Sequence, residues 1–326
     1  MIEPREVSVV VQGPIVKNDP DSTSDVLTQD VVRSVRTHLP GAQIILSTWQ
    51  GADLDGLEID ECILNEDPGA IAPNPLFPSR LNNVNRQLVS TRNGLARATR
   101  KYVVKLRTDS TLSSAKFLAV PRNLVKRSPR WSFFRERVLV PAQGSVHPAV
   151  VPSLYHVSDL FQFGLTADLQ ELWSSPLAPE PETSRAYSPE APPPLVYNVV
   201  EGPCVRAAPE QFYIVSFLQR RGLPARISYA AECGTHQAAL SLLALANNFV
   251  VASQIDLGVN LPRRITESSI ARLCAESRPW AVTARRLSWG PGSIVFLLPE
   301  LLRIKLKWLH FWYRYSLKPR LRKLFA

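Results

Sequence analysis

Polar side chains follow three predicted strands of this chain, at the point where each strand ends. These are Gln12 and Gly13, Thr48 and Trp49, and the segment 105–109, which reads Lys-Leu-Arg-Thr-Asp. The carboxyl ends of parallel strands meet at one edge of a sheet, and ligands of α/β proteins bind at that edge. We therefore expect these residues to share one binding site.

Each of these positions also has a purely structural explanation. Gly13 permits close approach of a ligand to the backbone, or it belongs to an ordinary turn. Trp49 could stack on a nucleobase, or it could fill the core. Lys105, Arg107 and Asp109 alternate along a strand and so point to the same side. Arg107 and Asp109 could equally form a structural ion pair at the surface.

A further candidate for ligand binding is the start of a predicted helix near Asn83, which carries Arg86 in its first turn. The positive end of the helix dipole, together with side-chain amides and a guanidinium, suits an anionic phosphate. The alternative is that Asn82 or Asn83 only caps the helix.

Predicted strands and helices alternate along the first half of the chain. This alternation predicts an α/β fold with a Rossmann-type, mostly parallel twisted sheet and helices on both faces. Strands at 135–140 and 151–157 predict a small mixed β extension, and helices follow at 209–222 and 236–247. The first-half elements are strands at 7–11, 43–47, 61–64 and 102–106, and helices at 24–39 and 83–100.

Residues 85–110 resemble family-2 GT-A glycosyltransferases. That family has an Arg-Asn-x-Gly element on a helix, followed by a strand that ends in Asp-x-Asp. Residues 92–94 (Arg-Asn-Gly) are a shortened match to the first element, and residues 107–109 (Arg-Thr-Asp) stand in the place of the second. In the family, the second carboxylate of Asp-x-Asp usually holds a divalent metal against the diphosphate of a sugar nucleotide.

A second resemblance extends over most of the chain. Several blocks, in the same order, are similar to the WavE lipopolysaccharide-synthesis family: VVVQGPI, IILSTW, DPGA, NNVNRQLVSTRNGL, KLRTD, HVSD and PEQF. That family is assigned to the assembly of bacterial surface polysaccharide and resembles glycosyltransferases. The resemblance implies an enzyme that moves a sugar from a nucleotide-sugar donor to a lipopolysaccharide or other surface-glycan acceptor.

The resemblance also implies a layout for the chain. One GT-A-like domain would occupy residues 1–298, with the nucleotide sugar held by residues 1–112 and a glycan or lipid-linked glycan acceptor by residues 113–298. Residues 176–194 contain seven prolines and are expected to form a mobile surface loop, with a domain linker as the alternative. The implied nucleotide-sugar ligands are Gln12, Gly13, Thr48, Trp49, Asn83, Arg86, Lys105, Arg107 and Asp109.

The departure from Asp-x-Asp leaves the metal requirement open. Arg107 replaces the first acid, and a hard cation such as Mn²⁺ or Mg²⁺ wants several oxygen ligands. Asp109 could hold a metal with help from the diphosphate and water. Alternatively, Lys105 or Arg107 neutralises the leaving diphosphate without a metal.

Sugar transfer with inversion needs a base that deprotonates the acceptor hydroxyl. Residues 209–211 (Pro-Glu-Gln) resemble the Glu-Asp that precedes a helix in family-2 transferases, but Gln211 replaces the Asp that is the base there. Glu210 is therefore the predicted base, unless it only stabilises the helix N-terminus. Asp159 is the second candidate, and it could instead bind a sugar or cap a helix.

The excess of basic residues lies in the C-terminal tail, residues 299–326. The net charge is +10, yet residues 303–326 carry eight Lys and Arg and no acid, which leaves 30 basic and 28 acidic residues in 1–302. The near balance of the body gives no reason to expect nucleic-acid binding. A basic amphipathic helix in the tail suits an anionic membrane surface, or it docks on the protein itself. Its predicted apolar side comprises Leu301, Ile304, Trp308, Phe311, Trp312 and Tyr315, opposite Arg303, Lys307, Arg314 and Lys318.

The four cysteines are widely spaced and fit a reducing compartment. The N-terminus lacks the basic segment of a secretory signal, and no apolar run approaches the roughly 18 residues of a spanning helix. We therefore expect a cytoplasmic protein peripheral to the inner membrane. One rival is a sugar-phosphate nucleotidyltransferase, for which residues 12–14 with Lys17 make a poor phosphate loop. The other rival is a non-catalytic, membrane-associated scaffold of polysaccharide assembly.

Overall fold

The computed structural model describes residues 2–18, 26–70, 81–123, 125–180, 183, 207–228, 232–266, 276–290 and 294–318. These residues contain the strands β1 (Val7–Gln12), β2 (Gln43–Trp49), β3 (Glu61–Asn65), β4 (Tyr102–Arg107), β5 (Thr111–Leu112), β6 (Val138–Pro141), β7 (Phe161–Leu165), β8 (Phe249–Ala252) and β9 (Val259–Asn260). They also contain the α-helices α1 (Thr28–His38), α2 (Val84–Ala96), α3 (Thr166–Trp173), α4 (Pro209–Arg220), α5 (Thr235–Asn248), α6 (Gln254–Leu257), α7 (Arg263–Thr266), α8 (Arg278–Trp289) and α9 (Leu298–Trp312).

Seven strands form one sheet in the order β3-β2-β1-β4-β7-β6-β8. The first four of these pair in parallel, and β6 pairs in parallel with β8. β7 alone runs antiparallel to its neighbours, β4 and β6. All strands of this sheet except β7 therefore place their carboxyl ends at one edge. β5 and β9 form a separate antiparallel pair.

Helices cover both faces of the sheet, as the sequence predicts. Side chains alternate along β1, so Val9 and Val11 pack in one hydrophobic cluster with Val35 of α1. Val10 points the other way and packs in a second cluster with Leu88 of α2. That second cluster also contains residues of α3, α4 and α5. Burial on both faces explains why the central strands are almost continuously apolar, and the predicted α/β, Rossmann-like class is confirmed.

The strand prediction was wrong in the middle of the chain. Residues 151–157 form no strand, and the strand of this region is β7, a few residues further on. The strand predicted at 135–140 exists as β6. Both β6 and β7 complete the main sheet instead of forming a separate extension, and the small second sheet consists of β5 and β9.

Side chains from two helices hold residues 151–157 in a non-strand conformation. Gln211 of α4 donates a hydrogen bond to the carbonyl of Leu154 at 2.9 Å, and the amide of Tyr155 donates to Ser241 Oγ of α5 at 2.9 Å. Tyr155 has a φ of 55° and is the non-glycine residue with positive φ among those described. The segment is apolar because helices bury it, and a buried strand shows the same apolar pattern.

The remaining elements agree with the predicted ones to within a few residues. α2 ends at Ala96, four residues earlier than expected. Most of the predicted proline-rich loop lies outside the described residues. The predicted tail helix exists as α9 and packs against α5. None of the described helices combines the length and the apolar character that crossing a bilayer requires.

Candidate functional site

A cleft of about 870 Å³ opens at the carboxyl ends of β1, β2 and β4. Its volume is in the range of ordinary ligand pockets, about 300–1,000 Å³. The structure brings to this cleft most of the residues that the sequence implied as nucleotide-sugar ligands: Gln12, Gly13, Thr48, Trp49, Asn83, Arg86, Arg107 and Asp109. Lys105 is the exception among those predicted ligands.

The floor of the cleft depends on a turn that requires glycine. Gly13 has a φ of +127°, and a Cβ built there would lie 2.9 Å from Thr108 Oγ1. The Gly13 amide donates to the Ser47 carbonyl of β2, and the Thr108 amide donates to the Gln12 carbonyl, both at 3.1 Å. These bonds hold the ends of β1, β2 and β4 together, and a Cβ at position 13 would crowd the Thr108 side chain and strain the turn.

Arg107 and Asp109 form a bidentate pair inside the cleft. Arg107 Nε and Nη2 donate to the two carboxylate oxygens of Asp109, each at 2.9 Å. The Asp109 side chain is buried, whereas 23% of the Arg107 side chain is exposed. The pair predicted as a structural alternative therefore exists, but it lines the cleft, and the accessible partner is the cation.

A second bidentate pair joins Arg86 of α2 to Asp67 in the loop after β3. Arg86 Nε and Nη2 donate to the two Asp67 oxygens at 2.7 and 2.6 Å. These bonds hold the pKa of Asp67 below its usual range. Lys17 and Asp53 form a third ion pair on the cleft wall. Each carboxylate that lines the cleft is thus matched to a cation.

This donor set does not fit a divalent metal held by the protein. A hard cation takes about six or more oxygen ligands. Both oxygens of Asp109 and both oxygens of Asp67 accept bonds from arginine. Within the described residues, no group of three or more His, Cys, Asp or Glu is arranged to bind a metal ion. The arrangement instead offers guanidinium groups to an anionic ligand.

Two further polar atoms of the cleft lack a hydrogen-bond partner among the described residues. Thr48 Oγ1 and Gln87 Oε1 are buried and make no hydrogen bond within the described part of the chain. Burying a polar atom without a hydrogen-bond partner costs about 1–3 kcal/mol of folding free energy. A ligand that forms a hydrogen bond to such an atom removes this cost, which favours binding. The sequence analysis did not predict Gln87 as a site residue, although it lies next to Arg86 at the start of α2. It did not predict Asp67 either, although Asp67 is the first residue of the block DPGA.

Lys105 lies behind the cleft, not in it. Its side chain is fully buried, and Nζ donates to the Asp159 carbonyl and lies 3.4 Å from Asp159 Oδ2. The same Nζ sits 4.8 Å from the centre of the Trp173 ring. Burial lowers the pKa of Lys105, although Asp159 opposes that shift. Lys105 shares a side of β4 with Arg107, as predicted, but it lies two residues deeper, where α3 covers it.

Asp159 lies beside the cleft because β7 is antiparallel to its neighbouring strands. Phe161, the first residue of β7, pairs with Leu106 near the end of β4. Asp159 precedes it by two residues and is 1% exposed. The segment before it is fixed by Tyr213, whose hydroxyl donates to the Val157 carbonyl at 2.6 Å. Asp159 is therefore a buried partner of Lys105, beside the cleft.

Glu210, at the start of α4, is the more accessible of the two predicted acceptor-side carboxylates. Its side chain is 21% exposed, and Oε2 lies 3.7 Å from His156 Nε2. Burial lowers the pKa of His156 to about 4, so this ring is neutral near pH 7. Burial and the charge of Asp159 raise the pKa of Glu210 to about 8. The charges of Asp159 and Glu210 both act on Arg107, but neither carboxylate is among the residues that line the cleft.

One known protein family matches nearly the whole of this chain. The family described as WavE lipopolysaccharide synthesis matches residues 7–321, a span that includes the cleft, Asp159, Glu210 and α9. A search of curated proteins found no significant match. Since the match extends over nearly the whole chain, this protein belongs to the WavE family of lipopolysaccharide synthesis.

Proposed function

We propose that this protein is a GT-A-type glycosyltransferase that moves a sugar from a nucleotide-sugar donor to a lipopolysaccharide or related surface-glycan acceptor. One observation carries the proposal: polar residues from three strand ends and from the start of α2 converge on one cleft with two arginines on its walls. A lipid-linked acceptor would place the reaction at the cytoplasmic face of the inner membrane.

The donor is proposed to bind with its diphosphate between Gly13 and Arg107. Gly13 leaves the backbone open to close approach, and the Arg107 and Arg86 guanidinium groups match phosphate oxygens in pairs. Trp49 offers an aromatic wall to the nucleobase. Thr48 would pair its buried hydroxyl with the nucleoside.

Glu210 is proposed as the base of an inverting transfer. Its carboxylate takes the proton of the acceptor hydroxyl while that oxygen forms a bond to the anomeric carbon of the sugar. The bond from the anomeric carbon to the diphosphate oxygen breaks, and the electron pair leaves with the diphosphate. Arg107 stabilises the charge that develops on this leaving group. Asp159, which is more buried and held by Lys105, positions the surrounding segment.

The decisive test is donor binding followed by transfer. Thermal shifts of the purified chain with UDP-, GDP-, CMP- and dTDP-sugars should show stabilisation by one donor class, because a ligand of the native state raises its apparent stability. The stabilising donor should then be consumed in the presence of a lipid-linked glycan. Failure of every donor to shift the transition or to be consumed, with or without Mn²⁺, would contradict the proposal. Product formed only from sugar phosphate and nucleoside triphosphate would identify a nucleotidyltransferase.

A further inference from the structure

The tail helix α9 has two apolar faces, and only one of them packs on the part of the chain that the structure describes. Leu301 and Ile304 are buried in the same hydrophobic cluster as α4 and α5, and Trp308 packs against that cluster. Phe311 is buried as well. These are the residues that the sequence pattern assigned to a membrane-facing side. The structure corrects this assignment, because that side docks on the body of the protein.

A second apolar stripe on α9 faces outward. Its members are 42% to 62% exposed, and they recur at intervals of four, four, three and four residues: Leu298, Leu302, Leu306, Leu309 and Tyr313. With 3.6 residues per turn, this spacing places all of them on one side of the helix. A continuous exposed apolar stripe is uncommon on a protein surface that faces water only, and it indicates a binding surface.

Cations border this stripe on both sides. A rotation of 100° per residue places Arg303 and Arg314 along one border and Lys305 along the other, and all three are exposed. Residues 301–326 contain no Asp or Glu. Glu300, in the first turn of α9, is buried and accepts hydrogen bonds from Arg286 of α8 and, at 3.5 Å, from Arg303. The outward side of α9 is therefore apolar along its centre and positive along its borders.

We propose that this outward side of α9 lies on the surface of an anionic lipid bilayer. The leucine stripe would enter the boundary between headgroups and acyl chains, and the bordering cations would contact lipid phosphates. A second copy of the chain fits this surface less well, since pairing two stripes brings like charges together at both borders. The proposal stands on α9 alone and does not depend on the transfer reaction.

The test is sedimentation of the full chain with vesicles of defined composition. The unmodified protein should bind vesicles rich in phosphatidylglycerol, bind pure phosphatidylcholine weakly, and lose binding as salt screens the cations. The triple variant Leu302→Ser, Leu306→Ser, Leu309→Ser should bind at least about tenfold more weakly, because apolar area determines interfacial affinity. The matched control is Ile255→Ser, which removes a 78% exposed apolar side chain outside α9 and should bind normally.

Three results would overturn the proposal. The first is unmodified protein that does not bind anionic vesicles, and the second is a triple variant that binds like the unmodified protein. The third is a dimer that the triple variant dissociates, with no vesicle binding by either form, since this would identify the stripe as a self-association surface. An unchanged melting temperature of the triple variant would show that these exposed substitutions leave the fold intact. Donor-induced thermal shifts would test the proposed enzyme function separately.

Discussion

Arg107 and Asp109 lie two residues apart at the end of β4 and form two parallel hydrogen bonds of 2.9 Å. The carboxylate is buried and the guanidinium is partly exposed to the cleft. Asp109 therefore orients a cation toward the space where a ligand would bind. In the structure Asp109 is thus the hydrogen-bond partner that supports Arg107, and its role as a metal ligand stays a prediction.

The first prediction concerns Arg107. Arg107→Gln should lower kcat by about 100-fold or more, which is the typical loss when one preorganised donor to a developing charge is removed. The measurement is transfer with the donor identified by thermal shift. Arg33→Gln is the matched control, because Arg33 also pairs with an aspartate, Asp30, but at the exposed surface of α1 and outside the residues that line the cleft. Equal rates for the two variants would remove Arg107 from the mechanism.

The second prediction concerns metal dependence. Since the carboxylates that line the cleft already accept bonds from cations, transfer should proceed at a similar rate in EDTA and in Mn²⁺ or Mg²⁺. Steady-state rates after dialysis against chelator would check this. A rate that falls in chelator and returns when Mn²⁺ is added would show that the nucleotide diphosphate and Asp109 hold a metal together.

The third prediction concerns pH. Glu210 acts as a base only when ionised, and its pKa is raised to about 8, so kcat/KM should rise with pH through this region. Glu210→Gln should lower the rate by about 10²- to 10⁴-fold, the usual contribution of general-base catalysis, and should abolish the rise. A rise that persists in the Gln variant would assign the titration to another group.

The Glu210 carboxyl group should also make the stability of the folded protein depend on pH, but stability should fall with rising pH where the transfer rate rises. A pKa raised in the folded state means that the folded protein binds the proton more tightly than the unfolded chain. This contribution to stability is present below the ordinary glutamate pKa of 4.5 and is lost as pH rises toward 8. The decline in melting temperature over that window should therefore be smaller in Glu210→Gln. Parallel declines in the two proteins would contradict the assignment.

The fourth prediction concerns the turn after β1. Gly13→Ala places a methyl group 2.9 Å from Thr108 Oγ1 at a backbone φ of +127°, so it should lower stability and weaken donor binding. Gly222→Ala is the control, because its φ is +76° and a Cβ there meets nothing within 4 Å. That control should lose only the left-handed strain of about 1–2 kcal/mol. Denaturant unfolding and donor titration compare the variants, and equal effects in both would exclude close packing at Gly13 as the cause.

Sequence alone predicted the cleft well for a physical reason. Strands of a parallel sheet are apolar until they end, so the first polar residues after them, such as Gln12 and Thr48, mark the ligand edge. The sequence shows less clearly how deeply each polar residue of a strand is buried. Lys105 and Arg107 share one side of β4, but the lysine is fully buried and the arginine reaches the cleft. Only the covering helices determine this difference.

Two other features could not be predicted because tertiary packing decides them. Residues 151–157 are as apolar as a strand, yet helices bury them. On α9, the helical wheel showed an apolar side that includes Leu301 and Ile304, but it could not show that this side docks on α5. Leu302 and Leu306 then become the exposed apolar residues. Periodicity reports that a side chain is apolar, not which neighbour covers it.

The reversed direction of β7 has a consequence for how the family can diversify. Because β7 runs antiparallel to β4 and begins beside the end of β4, residues far apart in the chain meet beside the cleft. Under the proposed function, substitutions in the segment before β7 would change the surroundings of the acceptor while the parallel strands proposed to hold the donor remain as they are. Strand direction thus separates the two halves of the site into parts that can evolve independently.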